Sequence, residues 1–484
     1  GKLPGGTFLV GSDATSLSPT PELFGGTVWQ KEGCTAIEDN EIDRTHVLPG
    51  EGRGWPVTSR DCIYLGGFGI GPTRPAHDID DGGIWVRSLA ISNGQDTTVW
   101  QIIDATGYFY SLNPMVCADC GILQMKDKIA ADTGVPRDAI SIGATHTHAG
   151  PDAYGGWGGL PQWYWHQIRD SVIASAKQAL AGMETASLTV GEVILRDFNG
   201  ERRDHYYSTP DYQATWLQAR ASDDGAVIAT LANYAGHPTI VGDPILHADW
   251  PGAASRRFQS IYGGVGLLFE GGLGNVSIRG RGGDTDDAQA ENTGIAFGSA
   301  VASDIAGGGT TLTTNDIAVN MQLITHPVSN PVLAAGGILN LFNRDFLPGE
   351  AAGLPGAYQW SKTAQTEPGA LRSCVTASPV TIKTPAGAVR VGNALFLFAP
   401  GEIFSNISEV AKSKTAGSAM TFVFGQTNDS LGYIIQSFEF DVMSNAVTEY
   451  GTQTAEYEEF FSIDRCFGDH VIQTLLDTAR ELGF

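Results

Sequence analysis

No stretch of this chain approaches 18 consecutive apolar residues, so nothing in it reads as a transmembrane helix. Basic residues are scarce: 29 Lys and Arg stand against 53 Asp and Glu, a formal net charge of -24. With no basic stripe to neutralise phosphates, the composition argues against nucleic acid as a partner and disfavours electrostatic docking on anionic membranes. Fixed-period repeats, low-complexity tracts and recognisable linkers are also absent. The first residues, Gly1-Lys2-Leu3-Pro4-Gly5-Gly6, lack a charged region followed by an apolar one, so any secretion signal is expected to have been removed. Histidine is rare, ten in 484 residues, yet two of the ten stand together in Thr145-His146-Thr147-His148.

What the chain does contain is enough apolar residue, 42 %, to build a large core, and 62 glycines that fall largely between apolar runs. Six cysteines (34, 62, 117, 120, 374 and 466) allow 15 connectivities. The expected pairing is Cys34–Cys62, Cys117–Cys120 and Cys374–Cys466, which places the protein in an oxidising compartment, secreted or periplasmic/extracellular. Cys117-Ala-Asp-Cys120 lacks the surroundings of a redox or zinc CxxC and has no second CxxC, so a structural role is favoured.

Apolar, β-rich runs at 97–105, 140–148, 226–236, 265–269, 388–399 and 419–425 read as strands. Helical periodicity appears between them at 117–133, 165–183, 288–305 and 468–484. The alternation predicts an α/β fold, with large mixed β-sheet layers flanked by helices. Residues 1–80, rich in Gly, Pro and Thr, are expected to be an irregular wrapping segment within one domain spanning 1–484.

On a strand, residues i and i+2 share a face, so His146 and His148 can converge on one point, where two imidazoles suit zinc. The alternative is a chance pair on a solvated strand face. Other polar residues share the strand-end placement that α/β proteins use for their sites. They are Asp104, His237, His247, Glu402 and Tyr433. Each alone is as readily a satisfied structural group.

Taken together and in order, these segments resemble the catalytic domain of the neutral (non-lysosomal) ceramidases. The resemblance is carried by Ala144-Thr145-His146-Thr147-His148-Ala149-Gly150-Pro151, by His237-Pro238 and by Asp249-Trp250-Pro251-Gly252-Ala253-Ala254. Gly274-Asn275-Val276-Ser277, Ala399-Pro400-Gly401-Glu402-Ile403 and the turn at 428–433 continue it, from about residue 60 to 460. It implies a zinc (Zn2+) site of His146, His237, Glu402 and Tyr433, with His148 close by as a proton-transfer or substrate-positioning residue. It further implies an arginine on the scissile carbonyl, Arg202 or Arg203, and a tyrosine donor at Tyr450. The expected chemistry is a zinc-activated water attacking an amide (N-acyl) bond of a hydrophobic, small-molecule or lipid-like substrate. Ser277 matches a serine once proposed as nucleophile; binding substrate or orienting the site is the expected role. Asp104 and Asp249 are candidate acceptors for the ligand imidazole N–H groups, or else cap and core hydrogen-bond residues.

The chain departs from that pattern in informative places. Ala149 replaces the serine after the histidine pair, and Ile278-Arg279-Gly280-Arg281 replaces Pro-Asn after Ser277, bringing two cations near the expected pocket. The aromatics Tyr154, Trp157, Trp163, Tyr164 and Trp165 form the wall of a substrate pocket, or else Trp163 and Trp165 merely dock the following helix. The family's C-terminal β-sandwich is not expected within these 484 residues. Two other readings therefore accompany the first: the same metal site acting on a different amide, ester or sugar-linked substrate, and a non-catalytic binding protein. Nothing in the chain bears on oligomeric state.

Overall fold

A computed structural model describes residues 1–23, 62–69, 71–203, 209–338, 342–349, 378–439 and 457–484. Eight strands form the larger sheet: β1 (Phe8–Ser16), β2 (Trp85–Ser92), β3 (Thr97–Ile103), β4 (Ile140–Ala144), β5 (Glu184–Ile194), β6 (Gln213–Ala221), β7 (Val227–Tyr234) and β8 (Val265–Glu270). Their order is β8-β7-β6-β5-β1-β2-β3-β4, and the short strand Thr310–Thr311 adds a ninth beside β5. Only the two outermost pairs, β8 with β7 and β3 with β4, are parallel. The second sheet runs β9 (Ile317–Pro327), β10 (Val380–Val391), β11 (Ala394–Phe398), β12 (Thr421–Phe424), with Leu347–Pro348 also on β10.

The two sheets pack face to face with helices outside them, giving layers in the sequence helix, sheet, sheet, helix. β3 shows why. Its alternate residues point to opposite faces. Val99 and Ile103 meet the helices, whereas Trp100 and Ile102 enter the core between the sheets. There Trp100 packs on Phe396 at 4.5 Å, and Phe396 stacks on Phe422 at 4.5 Å. Such a strand is buried on both sides and needs β-branched and aromatic residues throughout, which TTVWQII supplies. The helix Gln162–Ala181 covers one outer face with Ile168, Val172, Ala176 and Ala179. Asp249–Tyr262 and Asp286–Gly307 cover β6, β7 and β8 through Trp250, Phe258, Phe297 and Val301, while Phe467–Glu481 covers the second sheet.

Several expectations are corrected. The N-terminal segment is not wholly irregular: β1 is a central strand, paired with β2 and β5. The run 388–399 is not one strand but a hairpin, β10 and β11, turning at Gly392 and Asn393. The run 140–148 stops being a strand at Ala144. The helices Asp249–Tyr262 and Ser405–Lys414 went unpredicted, since their sequences carry Pro, Gly and Ser inside short polar stretches.

Cys117 and Cys120 are joined as expected. Cys62 and Cys466 are each disulfide-bonded as well, and the pairings expected for them, with Cys34 and Cys374, lie outside the described residues. Among the described residues no helix is long and apolar enough to cross a membrane.

Candidate metal centre

The carboxyl ends of β4, β7, β8 and β11 meet at one edge of the two sheets, and the site is assembled in the loops that leave them. Beyond Ala144 the chain bends. His146 takes a left-handed backbone conformation, φ 64°, a position where an ordinary side chain is strained. His146 and His148 therefore do not converge by strand alternation. The turn brings their Nε2 atoms to 3.3 Å with the rings nearly perpendicular, at 88°. Backbone bonds pin it: His148 N–H donates to Pro238 O, the Thr147 hydroxyl to His247 O, and His247 N–H to Ala149 O.

His237 follows β7 and forms an isolated parallel bridge with Ser277. Glu402 and Tyr433 are register partners in a small parallel pair, Glu402–Ile403 with Tyr433–Ile434. The turn before Tyr433 is fastened by Asp429, which accepts from Arg344 Nη2 and Thr384 Oγ1, both at 2.8 Å, and from the Tyr110 N–H.

Glu402 Oε2 lies 3.1 Å from His237 Nε2 and 3.3 Å from His146 Nε2. The far sides of these rings identify their tautomers. Nδ1 of His146 lies 2.6 Å from Thr106 O, and Nδ1 of His237 lies 3.1 Å from Val276 O. Carbonyls only accept, so each Nδ1 carries its proton and each Nε2 presents a lone pair. Two lone pairs and a carboxylate oxygen thus face one another with no proton between them. Burial, then the nearby Arg202, lowers the His237 imidazole to about 4, and burial with the neighbouring histidines lowers His148 well below the usual histidine range. Burial alone would raise the Glu402 carboxyl, but positive charge and N–H donation on the His146 and His237 side outweigh it and hold it well below the usual carboxylate range, so this spot favours a cation beside the carboxylate. Imidazole nitrogens converging on a buried carboxylate oxygen are a donor set that fits a divalent cation. The ring nitrogens of His146, His148 and His237 all lie within 4.8 Å of one another.

The two orienting acceptors are thus the backbone carbonyls of Thr106 and Val276, not Asp104 and Asp249. Asp104 is committed to Arg87 at 2.8 Å and to the Trp85 N–H, and Asp249 accepts the N–H groups of Ile240, Val241 and Trp250. Nothing in a sequence marks a carbonyl for this duty, because every residue has one.

His148 differs from its neighbours. Its Nδ1 is buried with no hydrogen-bond partner among the described residues. Instead the ring is held by shape: a side chain at Gly67, φ 104°, would lie 2.3 Å from it, and Phe68 meets it edge-on at 5.0 Å. Arg74 lies over Phe68 and donates to His148 O at 2.6 Å. Of the glycines in this loop, Gly67 is the one that makes room for the His148 ring.

The two arginines separate. Arg202 Nη2 donates to the Tyr433 hydroxyl at 2.9 Å while its Nε holds Glu458. Arg203 turns away to Glu459 at 2.7 Å and the Phe404 ring. Tyr433 sits beside His237, ring centroids 6.3 Å apart. Ser277 is half-buried, one strand over from His237, and Arg279 is exposed, its guanidinium folded over Gly200. Trp157, also half-buried, donates to Gly69 O and packs on Tyr154. Trp163, Tyr164 and Trp165 are buried in the first turn of their helix, so of the two readings they dock it. Tyr450 lies outside the described residues.

Among the described residues, two further groups could hold a metal by proximity. In Asp80, His247 and Asp287, the Asp249 N–H donates to His247 Nδ1, so Nε2 carries the proton and gives it to Asp287 at 2.8 Å. In Cys117, Asp119, Cys120 and His166 the thiols are spent in the disulfide. Neither offers a free ligand set.

By sequence, no described family and no curated protein matches this chain. By structure it has the fold of the neutral ceramidases. Neutral ceramidase from Pseudomonas aeruginosa is similar with a TM-score of 0.66 at 17 % identity, over 100 % of this chain and 75 % of that one. A ceramidase structure described as complexed with C2 gives a TM-score of 0.65 at 18 % identity, over 99 % and 75 %.

Proposed function

We propose that this protein is a zinc-dependent, secreted hydrolase that cleaves an amide (N-acyl) bond of a hydrophobic substrate. The observation that carries the reading is the buried cluster in which one Glu402 oxygen lies 3.3 Å from His146 Nε2 and 3.1 Å from His237 Nε2. The amide substrate is suggested by the fold, since the similar structures are ceramidases. His146, His237, Glu402 and Tyr433 would hold the zinc, which when bound supplies a Lewis acid and lowers the pKa of water towards ~7.

The remaining residues have separable duties. His148 is not anchored on a carbonyl, so its imidazole is free to accept a proton and hand it to the departing amine. Arg202, beside Tyr433, is placed to donate to the oxyanion that develops on the scissile carbonyl, and Tyr450 is proposed as a second donor. Ser277 binds or orients substrate. A covalent step at its hydroxyl is unnecessary where a metal-activated water is available as nucleophile.

Elemental analysis tests the reading directly. One zinc per chain is expected in the wild type and none in His146→Ala or Glu402→Ala; a metal-free, inert wild type overturns it. A short-chain fluorogenic ceramide, with a panel of other amides and esters, should be turned over in a chelator-sensitive manner. Ser277→Ala should keep most of the rate, and a trapped acyl-serine would overturn the direct route.

A further inference from the structure

Three strands lie side by side at the outer rim of the centre: the His237 segment, Val276–Ile278 and Asn199–Glu201. His237 bridges Ser277 in parallel, and Ser277 is paired with Gly200 in the antiparallel register. Partnered residues of neighbouring strands project to the same face. His237, Ser277 and Gly200 therefore form a row on the face that carries the metal donors, and Gly200 contributes no side chain to it. The space is taken by Arg279, whose guanidinium lies 3.0–3.5 Å from where a Cβ on Gly200 would be.

Arg279 is exposed, and no carboxylate is within ion-pair distance of it among the described residues. The Ser277 hydroxyl, beside it in the row, likewise has no partner among the described residues. Arg281, two residues on, is occupied differently, over the Phe198 ring at 4.2 Å. An unpaired guanidinium and a free hydroxyl on one face are the donors that an oxyanion takes, and the guanidinium can grip it with two N–H groups.

We propose that Ser277 and Arg279 form a subsite for an oxyanion on the substrate, so that the preferred substrate is an N-acyl compound bearing a carboxylate or similar group near the scissile amide. The inference rests on the proposed amide hydrolysis at the same centre. Gly200 is two strand spacings, ~10 Å, from His237. Allowing for the reach of both side chains, the charge belongs about five bonds from the amide carbon.

The test compares N-dodecanoyl-4-aminobutanoate with its neutral amide, N-dodecanoyl-4-aminobutanamide. For the zinc-loaded wild type, kcat/KM should be about 10-fold higher for the anion, the scale of one charge-assisted hydrogen-bonded pair. Arg279→Gln should remove that preference and leave the neutral amide within about 2-fold, with Arg281→Gln as the unchanged control. Titration of both probes into chelator-treated full-length protein reads the subsite without catalysis: the anion should bind tighter, and Arg279→Gln should equalise them. Equal binding, no binding by either, or an equal loss on both probes overturns the subsite. A charge preference in binding with no hydrolysis by the zinc-loaded protein instead overturns the hydrolase reading and leaves the subsite standing.

Discussion

His247 and His326 are as deeply buried as His146 and His237, and each also stands within 4 Å of a carboxylate. The difference lies in where the protons are. His326 gives its Nε2 proton to Asp464 at 2.8 Å and accepts at Nδ1 from His470 Nδ1 at 3.0 Å, while Asp464 is also held by the Ser329 hydroxyl. His247 is satisfied in the same way between Asp287 and the Asp249 N–H. Donor meets acceptor at every contact, and the chain alone completes both groups. At His146 and His237 the protons point outward to Thr106 O and Val276 O, and acceptors meet acceptors inside. A carboxylate beside a histidine is thus no sign of a metal; the direction of the imidazole N–H is.

That contrast is broken first by removing a histidine from each kind of group. His146→Ala or His237→Ala should abolish zinc binding and lower chelator-sensitive hydrolysis by about 10³-fold or more, with little change in thermal stability, because the lost ring relieves a repulsion. His326→Ala should do the reverse. Zinc content and kcat stay near wild type, while Asp464 loses its His326 donor and keeps those of Ser329 and Cys466, at a cost of about 1–3 kcal/mol. Elemental analysis, kinetics and denaturant unfolding of the variants decide it. If His326→Ala lost zinc, or His237→Ala unfolded the protein, the distinction drawn here would be wrong.

A second, smaller effect separates ligand from helper within the centre. Gly67→Ala places a methyl against the His148 ring at a backbone φ of 104°, a conformation that only glycine adopts readily. His146 and His237 are untouched by it. Zinc should therefore stay stoichiometric while hydrolysis falls roughly 10–100-fold, the usual span for a displaced general acid–base. Stability should drop by about 1–3 kcal/mol from backbone strain. Loss of zinc in this variant would make His148 a ligand and end its assignment to proton transfer.

The same contrast explains what could be read from the chain and what could not. The core between the sheets was legible because Trp100, Phe396 and Phe424 sit in apolar runs whose period announces a strand buried on both faces. The proposed donors His146, His237, Glu402 and Tyr433 were legible only as members of an ordered set of motifs, since any one strand-end histidine could equally have been a His247. The bend at His146 was not legible: a strand pattern continues through His148, and the left-handed turn is imposed by bonds to residues 238 and 247 nearly a hundred positions away. Nor was the choice of Arg202 over Arg203, which depends on Glu458 and Glu459 lying behind them.

The smallest effect expected is a pH dependence on the satisfied side of the comparison. Asp469 opens the helix Phe467–Glu481, accepts the Ser437 N–H at 3.1 Å, and is pushed up to about 7, by burial first and by the nearby Asp464 carboxylate as well. Its ordinary value is 3.8. Between these two values the folded chain binds a proton that the unfolded chain has released. The resulting stabilisation is complete below about pH 4 and is lost as pH rises through 7, on the order of 1–4 kcal/mol in all. His470, lowered to about 3 by burial and by His326, works in the opposite direction, favouring the folded state as pH rises. The comparison with Asp469→Asn cancels that contribution, because both proteins keep His470. Urea unfolding from pH 4 to 8 should show the wild type losing stability relative to Asp469→Asn as pH increases, while zinc content stays constant through the neutral part of the range. A difference between the two proteins that does not vary with pH would mean that Asp469 is ionised throughout, and that the hydrogen-bonded histidine group lies beside a charge it does not neutralise.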